Sequence, residues 1–124
     1  MISIIDDDRS VREAVKCLIR SIGYDAVTFA SAEEYLESRS VHDTECVITD
    51  LQMPGMTGID LHDKLIADGY CKPIIFMSAL STEEAGARAI ETAASGFLRK
   101  PFSDERLIEC LDGALGRDRV QTDH

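Results

Sequence analysis

Three aspartates, Asp6, Asp7 and Asp8, stand in a row directly after a mostly apolar run, MISII. Crowding that much negative charge at one point is unfavourable unless a cation or a proton offsets it. A fourth carboxylate, Asp50, closes another apolar run, CVITD (46–50). A hydroxyl, Ser78, closes KPIIFMS (72–78), and a cation, Lys100, closes GFLRK (96–100). Carboxylates from two chain segments can hold a hard divalent cation such as Mg²⁺, which takes oxygen ligands and often bridges to a phosphate. A lysine adds a point charge that can neutralise a carboxylate or a phosphoryl oxygen. A serine hydroxyl can donate to another phosphoryl oxygen. An aspartate in that company can itself be a nucleophile and form an acyl-phosphate. Taken singly, each of these residues has a plainer role as a helix cap, a turn hydroxyl or a solvated surface charge. Their joint occurrence at the ends of successive apolar runs is what suggests a site.

The elements that must position them follow from periodicity. ISIID (2–6) is predicted as a buried strand. Val11, Ala14, Val15, Leu18, Ile19 and Ile22 then recur at helical spacing, and Gly23 ends that helix. YDAVTF (24–29) is a second strand, and SAEEYLES (31–38) opens with S-x-x-E, so Ser31 and Glu34 can form a capping box. CVITD is a third strand, and LQMPGMTG is a loop punctuated by Pro54, Gly55 and Gly58. Ile59, Leu61, Leu65 and Ile66 mark a helix ending near Gly69. KPIIFMS is a fourth strand, STEEAGARAIETAAS (81–95) a helix with a second box from Ser81 to Glu84, and GFLRK a fifth strand. Ser103 caps a last helix carrying Leu107, Ile108, Leu111 and Leu115. Five β–α units in succession require crossover connections, hence an α/β fold: a parallel sheet with helices on both faces. In such sheets ligands bind beyond the carboxyl ends of the strands, which is where the acids, the hydroxyl and the lysine fall.

Composition bounds the function classes. At 124 residues, 44% apolar and 29% charged, the chain reads as one ordinary globular domain. No apolar run approaches the roughly 20 residues of a membrane span, and Met1 leads into acid without a basic signal-peptide region, so a cytoplasmic location is expected. A formal charge of −10 argues against direct contact with nucleic-acid backbone. Cys17, Cys46, Cys71 and Cys110 are scattered with no C-x-x-C, which favours reduced thiols over zinc or disulfides.

Over essentially its whole length the chain resembles the receiver domain of two-component response regulators, through IIDDD (4–8), ITDLQMPGMTGIDL (48–61), FMSAL (76–80) and FLRKPF (97–102). Among subgroups it is most similar to the receivers of the nitrogen-fixation, FixJ type. The resemblance implies a flavodoxin-like, doubly wound sheet in the order 2-1-3-4-5, with residues 1–118 as the receiver and 119–124 as a tail or the start of a linker. It implies that Asp50 is the phosphoacceptor. Asp7, Asp50 and the backbone carbonyl of Gln52 would bind Mg²⁺, with Asp6 acting through water and Mn²⁺ as a substitute metal. Ser78 would follow the phosphoryl group on activation, Lys100 would neutralise it, and Lys100–Pro101 would be cis, aiming the lysine. Phe97 stands at the place of a switch aromatic that turns inward when Ser78 moves. Gln52 and Leu80 would flank the phosphoryl group and tune its hydrolysis, and small Ala79 would leave room for a phosphodonor. The implied partners are a sensor histidine kinase and a second copy of the chain. That homodimer would form on phosphorylation, through the face of the predicted helix over 81–95, the fifth strand and the last helix. A helix-turn-helix DNA-binding output domain outside this chain would make the readout transcriptional.

Three alternatives start from the same residues. A haloacid-dehalogenase-like phosphatase also uses D-x-D after a first strand, but would be phosphorylated on Asp6 and leaves TDLQMPGMTG unexplained. A calcium loop beginning at Asp6 needs Gly at its sixth position and Glu at its twelfth, where Val11 and Cys17 stand. A degenerate receiver serving only as an interaction module would not need the intact set of Asp6, Asp7, Asp50, Ser78 and Lys100.

Overall fold

In a computed structural model of the chain, described for residues 1–70, 72–79 and 96–116, five strands form one parallel sheet. The elements are β1 (Ile2–Ile5), α1 (Arg9–Ser21), β2 (Ala26–Phe29), α2 (Ala32–Glu37), the single turn α3 (Ser40–Asp43), β3 (Cys46–Asp50), α4 (Gly58–Ala67), β4 (Ile74–Ser78), β5 (Phe97–Arg99) and α5 (Asp104–Ala114). The strand order is β2-β1-β3-β4-β5, the order implied by the resemblance. The predicted helix over 81–95, its Ser81–Glu84 box, Leu80, Cys71 and the tail beyond Gly116 lie outside the described residues.

Alternation along each strand divides the interior in two. Ile2, Ile4, Ile48, Ile75, Met77 and Leu98 point to one face and meet Val15 and Ile19 of α1 and Leu107 and Leu111 of α5. Ile5, Val47, Ile74 and Phe76 point to the other and meet Tyr35 of α2 and Leu61 and Leu65 of α4. Both layers are built of buried, mostly apolar side chains, so the sheet is packed from two sides.

Helix ends account for most of the differences from the predicted boundaries. Asp8 is the N-cap of α1, its carboxylate accepting from the N–H groups of Ser10 and Val11, so β1 stops at Ile5 and the acids form the turn. Gly23, at φ +99, closes α1: its N–H donates to Arg20 O and the next N–H, of Tyr24, to Ile19 O. That paired pattern needs a left-handed residue, which only glycine adopts cheaply. Ser31 Oγ accepts from Glu34 N–H as expected. The fully reciprocal capping box lies elsewhere, between Thr57 and Asp60 at the start of α4. Ser103 caps α5 through Arg106 N–H. The turn α3 had no periodicity to announce it, being too short to show any.

Candidate phosphoacceptor site

Register brings the acids level. Ile5 pairs with Thr49, so the next residues along, Asp6 and Asp50, end adjacent strands side by side. Ser78 ends the neighbouring β4, opposite Arg99 of β5, and Lys100 follows at once, its N–H donating to Ser78 O at 2.7 Å. The Lys100–Pro101 peptide is cis. Carboxylate oxygens of Asp6, Asp7 and Asp50 all lie within 4.8 Å of one another. Asp6 and Asp50 are buried and Asp7 is exposed, so the cluster opens to solvent on one side.

Two contacts keep the charges in place. Lys100 Nζ donates to Asp6 Oδ2 at 2.7 Å and stands 3.6 Å from Asp50 Oδ1. Asp6 Oδ1 accepts the N–H of Asp8 at 2.9 Å. Both oxygens of Asp6 are therefore engaged, and the residue is fully buried. Asp50 is less well compensated. Its pKa is raised to about 6, by burial first and then by the charge of Asp6; Lys100 and a backbone hydrogen bond from Gln52 pull it back only in part. Burial alone would lower Lys100, but its hydrogen bond to Asp6 and the charge of Asp50 outweigh that and raise it.

The loop after β3 is held by close packing. A Cβ on Gly58 would lie 2.8 Å from the carbonyl oxygen of Asp50 and 3.1 Å from Leu51 Cα, both backbone. Gly58 N–H donates to Leu51 O at 3.0 Å. Only a residue without a side chain lets α4 start this close to the strand that carries Asp50. In the sequence Gly58 is loop punctuation and Arg12 carries no role, yet Arg12 Nη1 donates to the main-chain oxygen of Asp6 at 2.7 Å. A helix-surface arginine six residues from the aspartate carries no sequence signal for such a contact.

The other candidate residues are distributed as follows. Ser78 is buried at the strand end, Ala79 is exposed, and Gln52 is exposed on the loop after Asp50. Phe97 is half-buried on β5 and packs on the α2–α4 side of the sheet. Beside the site, α1 and the β5–α5 connection enclose a groove of about 530 Å³. Its apolar walls include Val11, Ala14, Leu18, Phe102 and Leu107, and it reaches Ala79 and Lys100. Among the cysteines described, Cys17 is exposed, Cys46 and Cys110 are buried, and all three are free thiols.

The donor set suits Mg²⁺. It is all oxygen, supplied by three carboxylates with one face left for water, as a strongly hydrated octahedral ion requires. Three acids against one lysine leave net negative charge, and Asp50 is raised by burial first, with the charges of Asp6 and Asp7 adding to it. No helix among the described residues is long and apolar enough to cross a membrane.

Comparison with known proteins converges on the same description. The residue pattern of the response regulator receiver domain matches residues 2–112. The transcriptional regulatory protein TdiR of Thauera aromatica is 34% identical over 120 residues, covering 97% of this chain and 53% of that protein. The transcriptional regulatory protein FixJ of Azorhizobium caulinodans is 33% identical over 120 residues, covering 97% of this chain and 57% of that one. The solved structure of the response regulator StyR superposes with a TM-score of 0.83 at 34% identity, covering 98% of this chain and 62% of that chain. The chain thus spans about half the length of the curated relatives it matches. With its acidic pocket, its parallel sheet and its FixJ-type relatives, the chain belongs to the response regulator receiver domains of two-component systems, whose general function is to accept a phosphoryl group on an aspartate.

Proposed function

We propose that Asp50 is the phosphoacceptor and that a phosphohistidine of a sensor kinase is the donor. The observation that carries this is the position of the Asp50 carboxylate: at a strand end, 3.6 Å from Lys100, and beside two further acids. An Asp50 oxygen attacks phosphorus, the P–N bond breaks, and its electron pair returns to the donor imidazole. Lys100 takes up charge on a phosphoryl oxygen, and the Ser78 hydroxyl donates to another as it moves inward. Hydrolysis reverses the state: water attacks phosphorus, the P–O bond to Asp50 breaks, and inorganic phosphate leaves. Asp7, Asp50 and the Gln52 carbonyl are the proposed Mg²⁺ ligands, with Asp6 acting through water. When bound, Mg²⁺ neutralises charge on the transferring group. Asp6 is the weaker nucleophile candidate, since both its oxygens already accept hydrogen bonds, which counts against the dehalogenase-like alternative.

The groove supports a docking site for a helix of the kinase, because an apolar surface that reaches Lys100, itself 3.6 Å from Asp50, would bring the donor near the acceptor. Phe97 packing inward would transmit the state to the face of β5, α5 and the helix predicted over 81–95. Phosphorylation would pair two copies there, or release a DNA-binding output domain. The scattered cysteines, with no C-x-x-C in the sequence, fit action in the cytoplasm.

The test is labelling. The wild-type chain should take phosphate from acetyl phosphate and from phosphorylated kinase when Mg²⁺ is present, and Asp50→Asn should not. Asp50→Asn labelled at the wild-type rate would overturn the assignment. Chromatographic size with and without beryllofluoride tests pairing, and an unchanged monomer in both counts against it.

A further inference from the structure

We infer that Arg12 is a positioning residue for the metal site, acting on the β1–α1 turn rather than through its charge; this rests on Asp7 being a Mg²⁺ ligand. Asp6 is held by four separate parts of the molecule. Its N–H donates to Phe29 O of β2 at 3.2 Å. Its two carboxylate oxygens accept from Asp8 N–H and from Lys100. Its main-chain oxygen accepts from Arg12 Nη1 at 2.7 Å. The last contact differs from the others in being a side-chain donor to a main-chain oxygen. β1 has ended at Ile5, so the Asp6 carbonyl lies beyond the ladder and is buried at the edge of the sheet. A buried carbonyl without a donor is costly. Arg12, on the second turn of α1, reaches back across the turn and supplies that donor.

The consequence concerns Asp7. The turn between β1 and α1 is only Asp6, Asp7 and Asp8. Asp8 is fixed at one end as the helix cap, and Asp6 at the other by the contacts above. Asp7, exposed like Asp8, has no tie of its own among the contacts described for that turn. Its carboxylate is aimed by the backbone on either side. Two contacts join the helix start to the strand end across the turn, Asp8 N–H on the Asp6 carboxylate and Arg12 on the Asp6 carbonyl; only Arg12 ties the main chain on the Asp6 side of Asp7 to the helix, so releasing it loosens the peptide that carries Asp7. Groups behind metal ligands typically tune affinity about 10–100-fold.

Charge and position make opposite predictions. A cation near the cluster repels Mg²⁺, so if Arg12 acted by its charge, neutralising it would tighten metal binding. If it acts by holding the turn, neutralising it loosens binding. Titration calorimetry with Mg²⁺ alone, without phosphodonor, separates them. Arg12→Met, which keeps apolar bulk and loses the donor, should raise the Mg²⁺ dissociation constant about tenfold. Arg12→Gln, too short to reach the carbonyl, should do the same and serves if the Met variant does not fold. Arg12→Lys, which keeps a donor on a long stem, should restore most of the affinity. Circular dichroism establishes that each variant is folded. A dissociation constant for the neutral variants equal to wild type, or tighter, overturns the inference. A wild-type chain that binds no Mg²⁺ overturns instead the metal reading on which it rests.

Discussion

The two ends of the sheet bury polar groups in opposite ways. At the amino edge, Thr44 is a hub. Its hydroxyl donates to Ser40 O, accepts from Tyr35 Oη at 3.0 Å and lies 2.7 Å from Ser3 Oγ. Its carbonyl accepts from Lys72 Nζ at 2.7 Å, and Lys72 lies over the Tyr70 ring. The buried hydroxyls there are neutral and find one another. At the carboxyl edge, three carboxylates face one lysine, and burial lifts Asp50 to about 6. Polar groups that satisfy each other hold a fold together. Charges left in deficit keep a site ready for a ligand that supplies what is missing.

If that contrast is right, the edges should respond to substitution in opposite senses. The largest effect belongs to the carboxyl edge. Asp50→Asn should cut labelling by more than about a thousandfold, the order expected on removing a covalent nucleophile, while leaving the fold intact. At the amino edge, Thr44→Val keeps the shape and removes the hub hydroxyl. Tyr35 and Ser3 lose a shared partner and Ser40 O loses its donor, at a cost of about 1–3 kcal/mol. Chemical denaturation should show that loss, and the Mg²⁺ dissociation constant should not change. A Thr44→Val chain with native stability but altered metal affinity would break the contrast.

A smaller effect lies beside the carboxyl edge. Ala14→Asp puts a charge into the apolar groove, on a helix surface where it should cost little stability. Labelling by the kinase should slow about tenfold, a difference of about 1.4 kcal/mol, while labelling by acetyl phosphate stays at the wild-type rate. Equal slowing with both donors would mean that the substitution disturbed the site and not the docking.

Legibility in the sequence divides along the same line. β3 was read to its limits because its apolar run is unbroken and ends in a carboxylate. The face assignments followed from period two and period 3.6. Asp6, Asp7, Asp50, Ser78 and Lys100 could be gathered on one edge because parallel strands deliver their last residues together. What remained hidden was long-range polar geometry. Thr44, Tyr35 and Ser3 are far apart in the chain and individually ordinary, so nothing local predicts their meeting. Gly58 is ordinary punctuation until the Asp50 carbonyl is seen against it. Thr57 and Asp60 form a reciprocal box from T-x-x-D, which lies outside the S-x-x-E pattern. Strand order came from resemblance, since many orders satisfy the same alternation of elements.

The finest test of the contrast is its pH dependence. Asp50 holds its proton up to about pH 6 in the folded chain, against 3.8 for the ordinary side chain. The groups facing it are Asp6, Asp7 and Lys100. Between about pH 4 and pH 6 the folded state therefore binds more protons at this residue than the unfolded chain does. Stability rises with pH only where the unfolded state binds more protons, so here the Asp50 contribution falls as pH rises through that window. Lys100 titrates far above the window and does not disturb it. Without metal, Asp50→Asn should match wild type near pH 4 and exceed it at pH 7.5. An excess of about 1 kcal/mol corresponds to about 3–6 °C in melting temperature for a domain of this size. Added Mg²⁺ should close the gap by stabilising the wild type, since the ligand binds only the folded state and Asn supplies no anionic oxygen. Scanning calorimetry from pH 4 to 7.5 reads all of this, and parallel curves for the two proteins would mean that the carboxyl edge is as well satisfied as the amino edge.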